Sequence, residues 1–177
     1  MKPLRIVAVG GVGLMLGPSS RHLAGPESPA KCLRVHDRGT QGGERPKFRN
    51  QWQEHGAELV PNFRELVGDG NFDGAVVCAG KNGGDLQIFR EVVPCMKQMC
   101  DPGRKPFLLH LSTVSAGFVE AAETFCSNNG IAYANYPLTG GPLGAETAKM
   151  LILASGKRDL YDRLKPMCEK IGVLLPE

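Results

Sequence analysis

The 177-residue sequence predicts an α/β domain built on a doubly wound, mostly parallel sheet. Three observations lead there. Strand-like and helix-like segments alternate along nearly the whole chain, the pattern of repeated βαβ units. Leu4 to Val9 is a short, β-branched apolar run of the kind a parallel sheet buries on both faces. It runs straight into Gly10-Gly11-Val12-Gly13 and then into a helix-like segment.

That helix should reach about Leu23, with Pro18 tolerable only in its first turn. Lys31 to His36 is the second strand, ending on Asp37-Arg38, after a loop containing Gly25-Pro26-Glu27-Ser28-Pro29. Lys47 to His55 reads as a helix stopped by Gly56, Ala57 to Val60 as a short strand, and Asn62 as the cap of a helix through Val67. Phe72 to Ala79 is a buried strand that leaves through Gly80-Lys81-Asn82. Asp85 to about Met99 carries Leu86, Phe89, Val92 and Val93 on an amphipathic helix, which Pro94 should kink or interrupt before Asp101-Pro102-Gly103 ends it. Pro106 to Leu111 is a strand, and Ser115 caps a helix through about Asn128 that stops at Asn129-Gly130. Ile131 to Tyr136 and Met150 to Ala154 are strands, Lys157 to Ile171 a terminal helix, and Val173 to Leu175 a last short strand. The length fits one domain spanning residues 1–177.

Composition narrows the function. A net charge of +3 gives no argument for nucleic acid or a membrane surface, and no apolar stretch approaches a membrane span. The N-terminus goes straight into a strand and has no signal-peptide shape. The six cysteines include no Cys-x-x-Cys pair, and no histidine sits at zinc spacing. The expectation is reduced, buried thiols in a cytoplasmic protein with no metal site.

The chemistry-bearing residues gather at strand ends. Strand, glycine turn and helix in that order are what a dinucleotide fold needs. Gly11 would permit the tight turn, and Gly13 would let a pyrophosphate approach the helix N-terminus, where free N–H groups favour negative charge. The third glycine of that fingerprint is replaced by Leu16, and Gly17 comes one residue late. The helix should shift to accommodate Leu16. A carboxylate at Asp37 would accept from the adenosine ribose hydroxyls and repel a 2′-phosphate, which tips the choice toward NAD. Arg38 argues for NADP, since it could stack on adenine or pair with that phosphate. Arg45, Lys47 and Arg49 read as a solvated helix face. Ala79, Gly80 and Lys81 leave a strand at its carboxyl end, where parallel sheets bind ligands, although Lys81 reads by itself as an exposed loop lysine. Ser112-Thr113-Val114-Ser115 is a hydroxyl-rich turn between strand and helix, suited to an anion or a carbonyl oxygen. Alone it could equally be a helix cap or buried hydroxyls. Thr139-Gly140-Gly141 is a second turn where backbone can approach a ligand. His22, His36, His55 and His110 are scattered and receive no role; His110 reads as core.

Together, three stretches resemble the N-terminal domain of the β-hydroxyacid dehydrogenases, a family that includes 3-hydroxyisobutyrate dehydrogenase, tartronate semialdehyde reductase and 6-phosphogluconate dehydrogenase. They are Gly11-Val12-Gly13-x-Met15 with Pro18, Ser112-Thr113-Val114-Ser115, and Pro137-Leu138-Thr139-Gly140-Gly141-x-x-Gly144-Ala145-Glu146. The resemblance implies a Rossmann-like NAD(P)-binding domain of an oxidoreductase that transfers hydride between NAD or NADP and a β-hydroxyacid. By position, Gly11, Val12, Gly13 and Met15 would hold the pyrophosphate, Asp37 and Arg38 the adenosine end, and Ala79 and Gly80 the strand-end contacts. Ser112, the candidate catalytic residue here, and Thr113 would sit near the nicotinamide and the substrate's acid group. Thr139, where the family usually has serine, would bind substrate with Gly140 and Gly141. Ala116 stands where the family usually has proline. The family's catalytic lysine and its all-helical second domain, which closes the cleft, lie beyond the region matched. Lys149 and Lys157 are wrongly placed to replace that lysine, so the isolated chain is expected to show little turnover. Full-length family members are expected to be homo-oligomers. The alternative is a non-catalytic nucleotide-binding or partner-binding module that kept the fold. A methyltransferase reading gives no role to Ser112 or to Gly140-Gly141, and no acid ends the first strand.

Overall fold

A computed structural model describes residues 2–38, 45–79, 84–100, 103 and 105–175. Its main sheet has six parallel strands: β1 (Leu4–Val9), β2 (Ala30–His36), β3 (Glu58–Val60), β4 (Gly74–Val77), β5 (Phe107–His110) and β6 (Ala132–Asn135). Their order is β3-β2-β1-β4-β5-β6, and every pairing is parallel. The chain therefore winds outward twice from the centre, and the direction of winding changes between β1 and β4. In such sheets ligands bind beyond the carboxyl ends of the strands at that change of direction.

Alternation along β1 shows why it is central. Ile6 and Ala8 enter one core, with Leu16, Leu23, Phe48 and Trp52, while Val7 and Val9 enter the other, with Phe72, Phe89, Val92 and Leu108. One layer holds α1 (Leu16–Leu23) and α2 (Arg45–Glu54); the opposite layer holds α3 (Phe63–Val67), α4 (Gly84–Met99) and α5 (Ala116–Asn128). Local signals set the helix starts. Asn62 accepts from the Glu65 N–H at 2.9 Å, and Ser115 accepts from the Phe118 N–H at 3.3 Å.

Three features differ from the sequence reading. First, α4 runs through Pro94, which does not interrupt it. Pro94 lies on the exposed side, where water can serve the carbonyl it leaves unbonded, while Ile88, Phe89, Val92, Val93 and Met96 anchor the buried side. Second, the turn after Tyr136 contains structure: β7 (Leu138–Thr139) and α6 (Gly141–Glu146). Third, β8 (Met150–Leu153) and β9 (Gly172–Leu175), joined by α7 (Arg158–Cys168), leave the main sheet and form a separate one with β7. There β7 and β8 are antiparallel, while β8 and β9 are parallel. Among the described residues no helix is long and apolar enough to cross a membrane.

Candidate functional site

The turn after β1 is held from below by its own backbone. Gly10 has φ +77°, donates its N–H to the His36 carbonyl at 2.9 Å, and accepts from Gly13 at 3.0 Å. A Cβ there would lie 2.2 Å from the Cys78 carbonyl oxygen. The conformational demand of the turn thus falls on Gly10 rather than on Gly11. Gly11 is required for close approach instead: an added Cβ would meet Val35 Cγ1 at 2.3 Å, and its carbonyl accepts from the buried Trp52 indole N–H at 2.8 Å. The Val12 N–H donates to Asp37 Oδ2 at 3.1 Å, which ties the turn to the end of β2.

Leu16 is the first residue of α1 and is buried in the core, outside the cleft lining. The displaced glycine has its own use. A Cβ on Gly17 would stand 2.4 Å from the Phe48 ring, so the close packing that glycine permits is between α1 and α2. Pro18 falls in the first turn of α1, where its missing N–H costs no helical bond.

At the other rim, Asp37 Oδ1 lies 3.3 Å from Arg45 Nη1, and Arg38 Nη1 donates to Gln87 Oε1 at 3.2 Å. The sequence pattern places Arg45 on a solvated face. It points instead at the cleft, because α2 starts beside the end of β2 and turns its first residue inward. Lys47 does lie on the outer side, 3.6 Å from Glu146. On the far wall, β5 ends at His110 and the chain continues through Leu111, Ser112 and Thr113. The Ser112 hydroxyl donates to Asp85 Oδ1 at 3.3 Å, and its carbonyl accepts from Asn135 Nδ2 at 3.0 Å.

These walls enclose a cleft of about 750 Å³, within the usual size range of ligand sites. Gly13, Met15, Asp37, Arg38, Ala79, Ser112, Thr113 and Gly141 all line it. Gly11, Val12, Thr139 and Gly140 lie outside the lining: Gly11 and Val12 face the packed underside of the turn, and Thr139 and Gly140 are exposed beside it. Gly80, with Lys81, lies outside the described residues. The lining also includes His36, Arg45, Phe63, Cys78 and Ile88, which the sequence did not single out for this cleft. Only position could have revealed them, since all but Ile88, in the second turn of α4, sit at a strand end or a helix start. Burial, with a smaller contribution from the Asp85 charge, pushes the Cys78 thiol up to about 12, so it is a protonated wall group and a poor nucleophile. Among the described residues, no lysine reaches the lining.

Solved structures share this architecture. The Mycobacterium tuberculosis 3-hydroxyisobutyrate dehydrogenase with L-serine superposes with a TM-score of 0.80 at 18% identity, covering 98% of this chain and 54% of that one. An imine reductase variant from Myxococcus stipitatus in complex with NAD+ gives 0.75 at 19%, covering 100% and 56%. The same organism's imine reductase with NADP+ gives 0.75 at 18%, covering 98% and 55%. The chain thus spans a little over half the length of these proteins. Comparison with curated protein sequences gives no match. A family model, the NAD binding domain of 6-phosphogluconate dehydrogenase, matches residues 50–175, a stretch that includes Ser112-Thr113 and Thr139-Gly140-Gly141. On that match the chain belongs to the 6-phosphogluconate dehydrogenase NAD-binding domain family, within the oxidoreductases.

Proposed function

We propose that the cleft binds NAD or NADP and serves hydride transfer with a β-hydroxyacid of the 3-hydroxyisobutyrate or 6-phosphogluconate type. One observation carries this reading: the glycine turn after β1 and the Ser112-Thr113 turn after β5 face one cleft, at the carboxyl ends of parallel strands and where the winding changes direction. The residues present fit a dinucleotide. Gly13 keeps the approach to the N-terminus of α1 free of a side chain, so N–H groups and the helix dipole can meet a diphosphate there together with Met15. Gly11 and Val12 support this by fixing the turn from beneath. Asp37 and Arg38 take the adenosine end, Ala79 with Gly80 the strand-end contacts, and Thr113 with Ser112 the nicotinamide end. Thr139, Gly140 and Gly141 stand beside that end for substrate. When bound, the cofactor supplies the hydride acceptor or donor.

The rim does not choose one cofactor outright. The Asp37 carboxylate opposes a 2′-phosphate, while Arg45 beside it offsets that charge and Arg38 adds a second guanidinium. Hydride transfer from a hydroxyl also requires a base for the hydroxyl proton. With no lysine among the described lining residues, we infer that the 177-residue chain binds cofactor without appreciable turnover.

Thermal denaturation with each cofactor tests the reading. A ligand at one hundred times its Kd stabilises a native state by about 2.7 kcal/mol, roughly 5–10 °C for a domain of this size. A rise with NAD(H) or NADP(H) supports the site, and the larger rise identifies the preferred cofactor. No rise with either at millimolar concentration overturns it. Oxidation of 3-hydroxyisobutyrate or 6-phosphogluconate at an enzyme-like rate by the chain alone would overturn the inference about turnover.

A further inference from the structure

Behind Ser112 lies a buried chain of polar groups. Asp85, in the first turn of α4, is 5% exposed, and His110, the last residue of β5, is fully buried. Asp85 Oδ1 accepts from the Ser112 hydroxyl at 3.3 Å and lies 3.2 Å from His110 Nε2. The other ring nitrogen, Nδ1, is 3.0 Å from the Tyr133 hydroxyl on β6. Asn135 Nδ2 donates to the His110 and Ser112 carbonyls, each at 3.0 Å, and so fixes the backbone on both sides of Leu111. Ser112 and the His110 ring therefore meet at one carboxylate oxygen of α4, and Tyr133 and Asn135 of β6 hold the ring and its backbone from the other side.

The inventory of donors orients the chain. Asn135 Nδ2 also lies 3.4 Å from Nδ1, and an amide NH2 only donates, so Nδ1 is the acceptor and the Tyr133 phenol, which burial keeps protonated, donates to it. The ring's own proton then sits on Nε2, which makes no hydrogen bond among the described residues and faces Asp85 as its nearby charge. An ionised carboxylate accepts only. A serine hydroxyl has one proton. Given to Asp85, it is not available to a ligand, and what Ser112 offers the cleft is a lone pair. A second carboxylate placed against Ser112 would also meet the Asp85 charge at close range.

We propose that Asp85 is a positioning residue that makes Ser112 a hydrogen-bond acceptor toward the cleft, so that this position selects a ligand N–H or O–H over a carboxylate. The donor is either the carboxamide of a nicotinamide or a substrate hydroxyl. This rests on the dinucleotide reading of the cleft, and it reverses the expectation that Ser112 meets the substrate's acid group.

Two measurements test it. In the ligand-free chain, ¹H–¹⁵N spectra of the His110 ring should show the proton on Nε2. That signal should move in Asp85→Asn and also in Ser112→Ala, since hydroxyl and ring share one oxygen. A proton on Nδ1, or an Nε2 signal indifferent to Ser112→Ala, overturns the proposal whether or not any dinucleotide binds. Calorimetry then compares NADH with its 3-acetylpyridine analogue, in which a methyl replaces the carboxamide NH2. If the donor is the carboxamide, the analogue binds roughly fivefold more weakly, and both variants lose the difference. If wild type treats the two alike, the donor is the substrate hydroxyl. In that case 3-hydroxypropionate outbinds propionate by a similar factor with NADH present, again only with Asp85 and Ser112 intact. Failure of both comparisons overturns the proposal. Absence of NADH binding removes the dinucleotide reading and leaves Asp85 to be judged by the ring spectra.

Discussion

Replacing Gly10 with alanine puts a methyl group where the structure leaves no room for one. The backbone there has φ +77°, a left-handed conformation that costs an L-residue with a side chain roughly 1–2 kcal/mol. The new Cβ would also lie 2.2 Å from the Cys78 carbonyl oxygen and 2.8 Å from Ala79 Cβ. The first neighbour is backbone at the end of β4 and cannot rotate away, so a packing strain of about 1–3 kcal/mol adds to the conformational cost. The sum, about 3 kcal/mol, lowers the melting temperature by roughly 6–12 °C for a domain of this length. Gly117→Ala is the matched control. An added Cβ there meets nothing within 4 Å, and inside α5 alanine gains up to about 1 kcal/mol over glycine. Calorimetric melting of both variants decides: Gly10→Ala should fall well below wild type while Gly117→Ala equals or exceeds it. A Gly10→Ala protein that melts within a degree of wild type would refute the argument that the turn is closed against the β4 end. Because the clash pushes on Ala79, the surviving folded protein should also lose most of the stabilisation that a dinucleotide confers.

Other perturbations read other parts of the fold. Trp52→Phe removes the donor to the Gly11 carbonyl and strands a buried acceptor, at about 1–3 kcal/mol; urea denaturation should show the lower midpoint, and an unchanged midpoint would mean that water reaches that carbonyl. Burial raises the thiols of Cys78, Cys126 and Cys168 to about 12 in the folded chain. An unfolded thiol releases its proton near pH 8.5, so above that pH the unfolded state binds fewer protons than the folded one. The stability these thiols contribute is complete below pH 8 and is lost progressively as pH rises toward 12. Melting temperatures should be level from pH 7 to 8 and fall by pH 10, with a smaller fall in Cys168→Ala; a level profile to pH 10 would contradict the assignment.

What the sequence disclosed and what it hid follow from the range of the forces involved. β1 was legible because a run with five apolar residues in six suits a strand buried on both sides, and the caps at Asn62 and Ser115 were legible because a capping bond closes within three residues. The fold class followed from the alternation of such elements. α6 was hidden because Gly140-Gly141-Pro142 reads as a turn, and only the antiparallel pairing of β7 with β8, made across a dozen residues, orders that stretch. Pro94 does not end α4 because the cost of an interior proline is local, whereas the packing that outweighs it comes from β4 and β5. In the site, the glycine turn and the Ser112 turn could each be seen, but their meeting depends on strand order, which no short window contains. The contact between Asp85 and Ser112 was hidden for the same reason: the two are far apart in sequence, and an acid at a helix start is commonplace, whereas His110 reads as core and is buried.

Trp52 is the sole tryptophan in the chain, and its indole hangs from the carbonyl of Gly11. Excited at the red edge, where the three tyrosines do not absorb, the intrinsic emission of this protein is therefore a single-site optical gauge of the loop after β1. Any small molecule that reorganises that loop writes its arrival into the colour and lifetime of one fluorophore, with no label attached.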